Sequence, residues 1–148
     1  MLLKFMLSPS GLVLDQFLVK RTGHSLLNRL FAKNAGFAAR PALLLVTRGS
    51  KTGRLREVVL PYFQLDGKLM IVGSKGGMPE DPYWAKNLRR NPEAMIHIRR
   101  KKQRVQARFA QDDERKALWP RLVALAPTYA QYQAKTTREI PVVILEPA

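Results

Sequence analysis

Apolar residues at helical spacing open the chain. After Gly11, Leu12, Leu14, Phe17 and Leu18, then Leu26, Leu27, Leu30 and Phe31, recur near helical spacing, broken by Thr22-Gly23. This pattern predicts two amphipathic helices within about residues 1–37, with Lys20, Arg21, Arg29 and Lys33 on their polar faces. From Ala42 the period shortens. The runs ALLLV, EVVLPYF and KLMIVGS predict strands, and Asp66-Gly67 between the second and third predicts a tight hairpin, because both residues accept positive φ.

Farther along, Asp81 is placed to cap a helix with Pro82 at its first position and Arg90 near its end, and Asn91-Pro92 stops it. A strand resumes over Ala94 to Ile98, and the basic run RRKKQR joins it to VQARFA at or near a hairpin tip. Asp112-Asp113-Glu114 puts three carboxylates where a helix N-terminus favours them; that helix carries Leu118, Trp119, Leu122, Val123 and Leu125 and ends before Pro127. A short helix with Tyr129 and Tyr132 follows, and IPVVILEP closes as a strand. About six short strands with flanking helices make an α+β domain over 1–148 with a mainly antiparallel sheet. Strands this short and apolar suit closure into a small barrel.

Composition narrows the chemistry. A chain of 148 residues is the usual size of one domain. With no cysteine, disulfides, thiolate catalysis and cysteine-ligated metals are excluded; His24 and His97 stand far apart without a carboxylate cluster, so no metal enzyme is expected. The longest wholly apolar run, Ala42 to Val46, is far short of the roughly 20 residues of a membrane span. Ser8-Pro9-Ser10-Gly11 interrupts the apolar start and no small-residue cleavage site follows, which points to a cytoplasmic protein. Lys plus Arg is 26 against 11 Asp plus Glu, a formal charge of +15, which calls for an anionic partner.

That partner has a candidate loop, TRGSKTGRLR at Thr47 to Arg56. Aligned on Lys51, the glycine positions of a nucleotide P-loop fall on Leu45 and Ser50, and a strand rather than a helix follows, so this is no triphosphate loop. The physics of anion capture remains: Gly49 and Gly53 free the backbone, Ser50 and Thr52 add hydroxyls, and Lys51, Arg54 and Arg56 add charge. An ordinary basic hairpin loop has the same composition. A second cluster, VGSKGG at Val72 to Gly77, would lie beside the first if the strands bearing Arg56 and Ser74 paired across Asp66-Gly67. No nucleophile with a neighbouring base and no carboxylate dyad is visible, so a reaction here needs a bound cofactor.

Three ordered motifs, TRGSKTGRLR, VGSKGGMPEDPYWAKNLRRNPEAMIHI and YAQYQAKTTREIPVVILEP, together resemble the deazaflavin-dependent nitroreductase family of the flavin and deazaflavin oxidoreductases, from about Ala42 to Pro147. The resemblance implies a split β-barrel and an 8-hydroxy-5-deazaflavin cofactor, coenzyme F-420, with a phosphodiester and an oligoglutamate tail. By motif position, Gly49, Ser50, Lys51, Thr52, Gly53 and Arg56 would hold the phosphate and tail, and Val58, Val59, Leu60 and Pro61 would continue along the cofactor. Val72, Gly73, Ser74 and Lys75 would border the ring, with Trp84 and Asn87 beside it and Tyr129 and Tyr132 on the substrate side; Ser74 also belongs to that side. Tyr129 is the expected proton donor or orienter.

Ser50 stands where many members have arginine, with Arg54 a substitute; Ala126 stands where nitro-reducing members often have an aromatic residue. The implied reaction is hydride transfer to an electron-poor small molecule, a quinone or nitro compound. Split barrels also bind FMN or haem, which is the alternative cofactor reading. A nucleic-acid module is the alternative of a different class, weakened because no aromatic residues interleave with RRKKQR. The basic amphipathic start suits peripheral membrane contact, and the assembly is expected to be a monomer or homodimer.

Overall fold

The computed structural model describes residues 9–22 and 40–148. The second predicted N-terminal helix, with His24, lies outside them. Seven strands, β1 (Ala42–Arg48), β2 (Leu55–Pro61), β3 (Phe63–Leu65), β4 (Lys68–Val72), β5 (Glu93–Ile98), β6 (Lys101–Phe109) and β7 (Val142–Pro147), form one sheet in the order β2-β1-β5-β6-β7-β4-β3. Every neighbouring pair is antiparallel. Among the described residues four helices accompany it: α1 (Pro9–Thr22), α2 (Tyr83–Arg90), α3 (Asp112–Leu125) and α4 (Thr128–Ala134), with a 3-10 turn at Lys75–Gly77.

The run EVVLPYF is two strands rather than one, which raises the count from six to seven. Pro61 has no N–H to continue the ladder, and the Tyr62 N–H turns to the Pro41 carbonyl at 3.2 Å. Tyr62 alone separates the two edge strands of the sheet, so one bent piece of chain pairs with β1 at one end and with β4 at the other. The sheet is thereby curled into the split barrel.

Alternation explains the apolar runs. Leu43 and Leu45, Ile71, and Val143 and Leu145 point into the barrel with Ile96 and Val105. Their neighbours Met70 and Val72, Val142 and Ile144 point outward against Leu118 and Leu122 of α3 and Tyr129 of α4. On β1 the outward pair Ala42 and Leu44 meets Val19 of α1. Strands buried on both faces lose the polar half of the period, which is why ALLLV, LMIV and VVIL read as unbroken apolar segments.

The turns follow their residues. Asp66 and Gly67 hold φ of 54° and 73° between the paired residues Leu65 and Lys68, as the sequence predicts. Only Arg99 and Arg100 of the basic run form a turn, at φ of 49° and 68°; Lys101 to Arg104 continue into β6.

Two expectations change. Asp81 does not cap α2, which begins one residue late with Pro82 at the capping position; its carboxylate instead accepts from Arg138 at 2.9 Å and Arg89 at 3.4 Å. On α1 the buried stripe is Gly11, Asp15 and Val19, while Leu12, Val13, Leu14 and Phe17 are exposed. The apolar residues expected to pack on the domain lie on a different face from the one that does, with the small Gly11 included in the packed stripe. Among the described residues no helix is long and apolar enough to cross a membrane.

Candidate functional site

The loop between β1 and β2 is a closed backbone turn. Gly49 N–H donates to the Arg54 carbonyl at 2.7 Å and Gly53 N–H to the Gly49 carbonyl at 2.9 Å, with Gly53 at φ of 71°. Arg48 Nη1 donates to the Gly53 carbonyl at 2.8 Å, and Arg54 N–H to Thr52 Oγ1 at 3.2 Å. A strand follows, so the rejection of a P-loop stands in three dimensions.

Asn87 of α2 ties this turn to the barrel. Its Nδ2 donates to Thr47 Oγ1 at 3.0 Å and its Oδ1 accepts from the Ser50 N–H at 2.9 Å. Asn87 is 4% and Thr47 1% exposed. A buried amide that spends both ends on the loop is an anchor for the loop's shape.

Above the anchor lies a cleft of about 740 Å³, within the range of cofactor sites. One end is walled by Ser50, Lys51, Thr52 and Arg56, and α2 lines it with Tyr83, Trp84, Lys86 and Asn87; Lys75 of the 3-10 turn and Val58 of β2 complete it. Its cations are Lys51, Arg56, Lys75 and Lys86; its one carboxylate, Glu57, is engaged by Lys20 at 3.2 Å. Lys86 meets Glu80 at 3.3 Å. Lys51, Arg56 and Lys75 have no carboxylate at ion-pair distance among the described residues. Three cations without a carboxylate partner among the described residues stand beside the Ser50 and Thr52 hydroxyls, a combination that suits an anion.

The cleft gathers Gly49, Ser50, Lys51, Thr52, Arg56, Val58, Lys75, Trp84 and Asn87 from the residues named by motif, and leaves others outside its walls. Gly53 and Arg54 shape the turn from behind. Val59 points to the α1 side with Ala42 and Leu44, while Leu60 packs at the barrel interior, because neighbouring strand residues face opposite ways. Pro61 ends β2. Val72 belongs to the outer core, and Gly73 and Ser74 form the backbone leading to Lys75. The pairing expected to bring the two glycine loops together is also different: β4 pairs with β3, and α2 with the barrel's curl brings Lys75 to Ser50.

Tyr129 and Tyr132 sit on α4, which packs on the 3-10 turn, and neither lines the cleft. Tyr129 is 7% exposed among Phe63, Trp119 and Tyr132. Burial pushes its phenol well above the usual tyrosine range, with the Arg40 charge pulling the other way. Tyr83 and Lys86 were not singled out from sequence. Tyr83 is 78% exposed, with Lys75 and Lys86 each 5.8 Å from its ring centre. Its signal was local: an aromatic beside Trp84 at the start of a helix, one turn from Lys86.

Residues 21–147 match the F420H(2)-dependent quinone reductase family. The chain is 40% identical over 110 residues to the F420H(2)-dependent quinone reductase Rv1261c of Mycobacterium tuberculosis, covering 72% of this chain and 74% of that one. It is similar in structure to an F420-H2 dependent reductase, FDR-A, at 40% identity and a TM-score of 0.64, covering 72% of this chain and 95% of the other. A second solved relative, described as a domain-swapped dimer, is 34% identical with a TM-score of 0.64 over 94% of this chain and 100% of its own. With the split barrel, the anchored anion loop and the α2 wall in the order of the three motifs, the chain belongs to the F420H(2)-dependent quinone reductase family.

Proposed function

We propose that this chain binds a deazaflavin of the coenzyme F-420 type in the cleft between the β1–β2 loop and α2, and transfers hydride from it to a quinone-class acceptor. The observation that carries this reading is the cleft's division into an end with uncompensated cations and hydroxyl donors and a wall with Trp84 and Tyr83. A ligand with a flat ring and a multiply charged tail uses both. Three charge-assisted hydrogen bonds at about 1.5–3 kcal/mol each are comparable with the roughly 8 kcal/mol of a micromolar complex. FMN has a single phosphate and would leave much of that charge unmet. Among the described residues no histidine lines the cleft to serve as the commonest haem ligand. Family membership supports the deazaflavin over both.

When bound, the reduced deazaflavin supplies a hydride, and a quinone needs one proton besides it to become a hydroquinone. The protein's own part is to bind and orient. Lys51, Arg56, Ser50 and Thr52 hold the anionic portion, and Lys75 and Trp84 border the ring. Holding two reactants in register is where most of the rate arises. A quinone is the acceptor we assign because the family model and the curated relatives are quinone reductases; Ala126, buried in the core at the end of α3, gives no aromatic contact of the kind expected in nitro-reducing members.

Titration of the purified protein with the deazaflavin should quench its fluorescence saturably, and Lys51→Ala should raise the Kd about 10- to 100-fold, the loss of one charge-assisted contact. Absence of quenching up to high micromolar concentrations of the parent protein would sink the cofactor reading.

Tyr129 works as a neutral, buried support for Tyr132, whose half-buried ring lies 6.5 Å away on the next turn of α4; Tyr132 stands outside the cleft wall, and its motif position alone assigns it to the acceptor side. A phenol whose folded pKa exceeds its unfolded value of about 10 stabilises the fold below that pH and loses the contribution as pH rises toward the folded value. Tyr129→Phe should therefore flatten the fall in melting temperature above about pH 10 while lowering kcat less than Tyr132→Phe does. A larger kcat loss at Tyr129 would instead make its phenol the proton donor.

A further inference from the structure

Arg138, between α4 and β7, is almost wholly enclosed at 14% side-chain exposure, and it has no place in the cleft wall. Its guanidinium nevertheless reaches the cleft's second loop through four hydrogen bonds. Nε donates to the Met78 carbonyl at 2.9 Å, Nη2 to the Ser74 carbonyl at 2.7 Å, and Nη1 to the Gly73 carbonyl at 3.1 Å and to Asp81 Oδ1 at 2.9 Å. Asp81 immediately precedes Pro82 and Tyr83, the start of the α2 wall. One side chain thus joins the end of β4, the 3-10 turn and the entry to α2.

In a trans peptide the carbonyl and the following N–H point in opposite directions, and this chain has no cis peptide bond among its described residues. Drawing the Gly73 and Ser74 carbonyls onto Arg138 turns the Ser74 and Lys75 N–H groups away from it. Among the described residues neither N–H has a backbone carbonyl partner. We infer that Arg138 is a positioning residue: it sets the peptide planes of Gly73 to Lys75 and so holds Lys75 in the cleft wall, and it fixes Asp81 so that Tyr83 and Trp84 keep their place in the same wall. The inference rests on the cofactor reading above. The fork geometry matters, because four acceptors, the adjacent Gly73 and Ser74 carbonyls, the Met78 carbonyl and Asp81, are met by a planar guanidinium and not by the compact ammonium of a lysine.

The test compares Arg138→Met and Arg138→Lys by amide hydrogen exchange on the cofactor-free protein and by deazaflavin fluorescence titration. In Arg138→Met, exchange at Gly77 and Met78 should accelerate about tenfold with β1, β5 and β6 unchanged, and the Kd should rise about tenfold, matching the loss of charged hydrogen bonds. Arg138→Lys should fall between parent and methionine variant in both readouts, and it carries the test if the methionine variant does not fold. A Kd within about twofold of the parent in Arg138→Lys and in any folded Arg138→Met would overturn the inference. Acceleration spread evenly over all strands would overturn it as well, since that is loss of global stability. A parent protein that does not quench the deazaflavin defeats the cofactor reading, and the exchange pattern then judges the clamp alone.

Discussion

Replacing Asn87 with leucine is expected to weaken deazaflavin binding about 30- to 100-fold and to lower the melting temperature by roughly 4–24 °C. The size follows from what the amide leaves behind. Leucine keeps its branched outline but satisfies neither the Ser50 N–H nor the Thr47 hydroxyl, whose partner atoms lie at 2.9 and 3.0 Å. Each buried group stranded in this way costs about 1–3 kcal/mol, and in a domain of this length each kcal/mol moves the midpoint about 2–4 °C. The binding loss comes from the loop itself, because Ser50, Lys51 and Thr52 are held over the cleft through that N–H.

Asn87→Asp separates the two effects. It keeps an acceptor for Ser50 and lets the Thr47 hydroxyl turn to donate, so the fold is largely kept, but it puts a negative charge under the anion site. Melting and fluorescence titration of both variants decide the matter. A leucine variant with parental affinity would mean that the loop keeps its shape without the anchor.

The parts of this site that could be read from sequence are those whose chemistry is local. Asp66-Gly67 marks its turn because both residues readily accept positive φ, and Ser50, Lys51 and Thr52 suit an anion by type, although an ordinary basic hairpin loop has the same composition. Trp84 and Asn87 were reached only through the resemblance, since nothing in the helix they share marks them out. Tyr62 did not reveal the strand break, because the apolar period runs on through Pro61 into Phe63 and only the curl of the sheet requires the bend. On α1, Leu12, Leu14 and Phe17 carry the strong apolar signal, yet the packed face is Gly11, Asp15 and Val19, decided by how closely a helix can approach β1. Arg138 was invisible for a different reason. Its partners lie 57 to 65 residues away, and one arginine among 26 basic residues has no local mark that separates a clamp from a solvated charge.

Close approach of backbones at Gly77 carries the other large effect: Gly77→Ala is expected to cost about 2–5 kcal/mol and to lower kcat by roughly 100-fold. Gly77 has φ of 79°, and a Cβ there would lie 2.6 Å from the Tyr132 carbonyl oxygen, 3.0 Å from its Cα and 3.1 Å from the Lys135 Cβ. The left-handed conformation alone costs alanine about 1–2 kcal/mol. The clash adds about 1–3 kcal/mol, because its nearest atoms are backbone of α4 and cannot rotate away. Relief requires the 3-10 turn and α4 to move apart, which shifts Lys75 at the cleft and Tyr132 on the acceptor side in opposite directions, and a displacement near 1 Å between reacting partners costs about 100-fold in rate.

Gly76 is the internal control. Its φ is 62° and a Cβ there meets nothing within 4 Å, so Gly76→Ala pays the conformational cost without the clash. Thermal melts of the two variants should differ by about 2–12 °C, with Gly77→Ala the lower. Equal melts would show that α4 gives way freely, and the rate loss would then disappear with the strain.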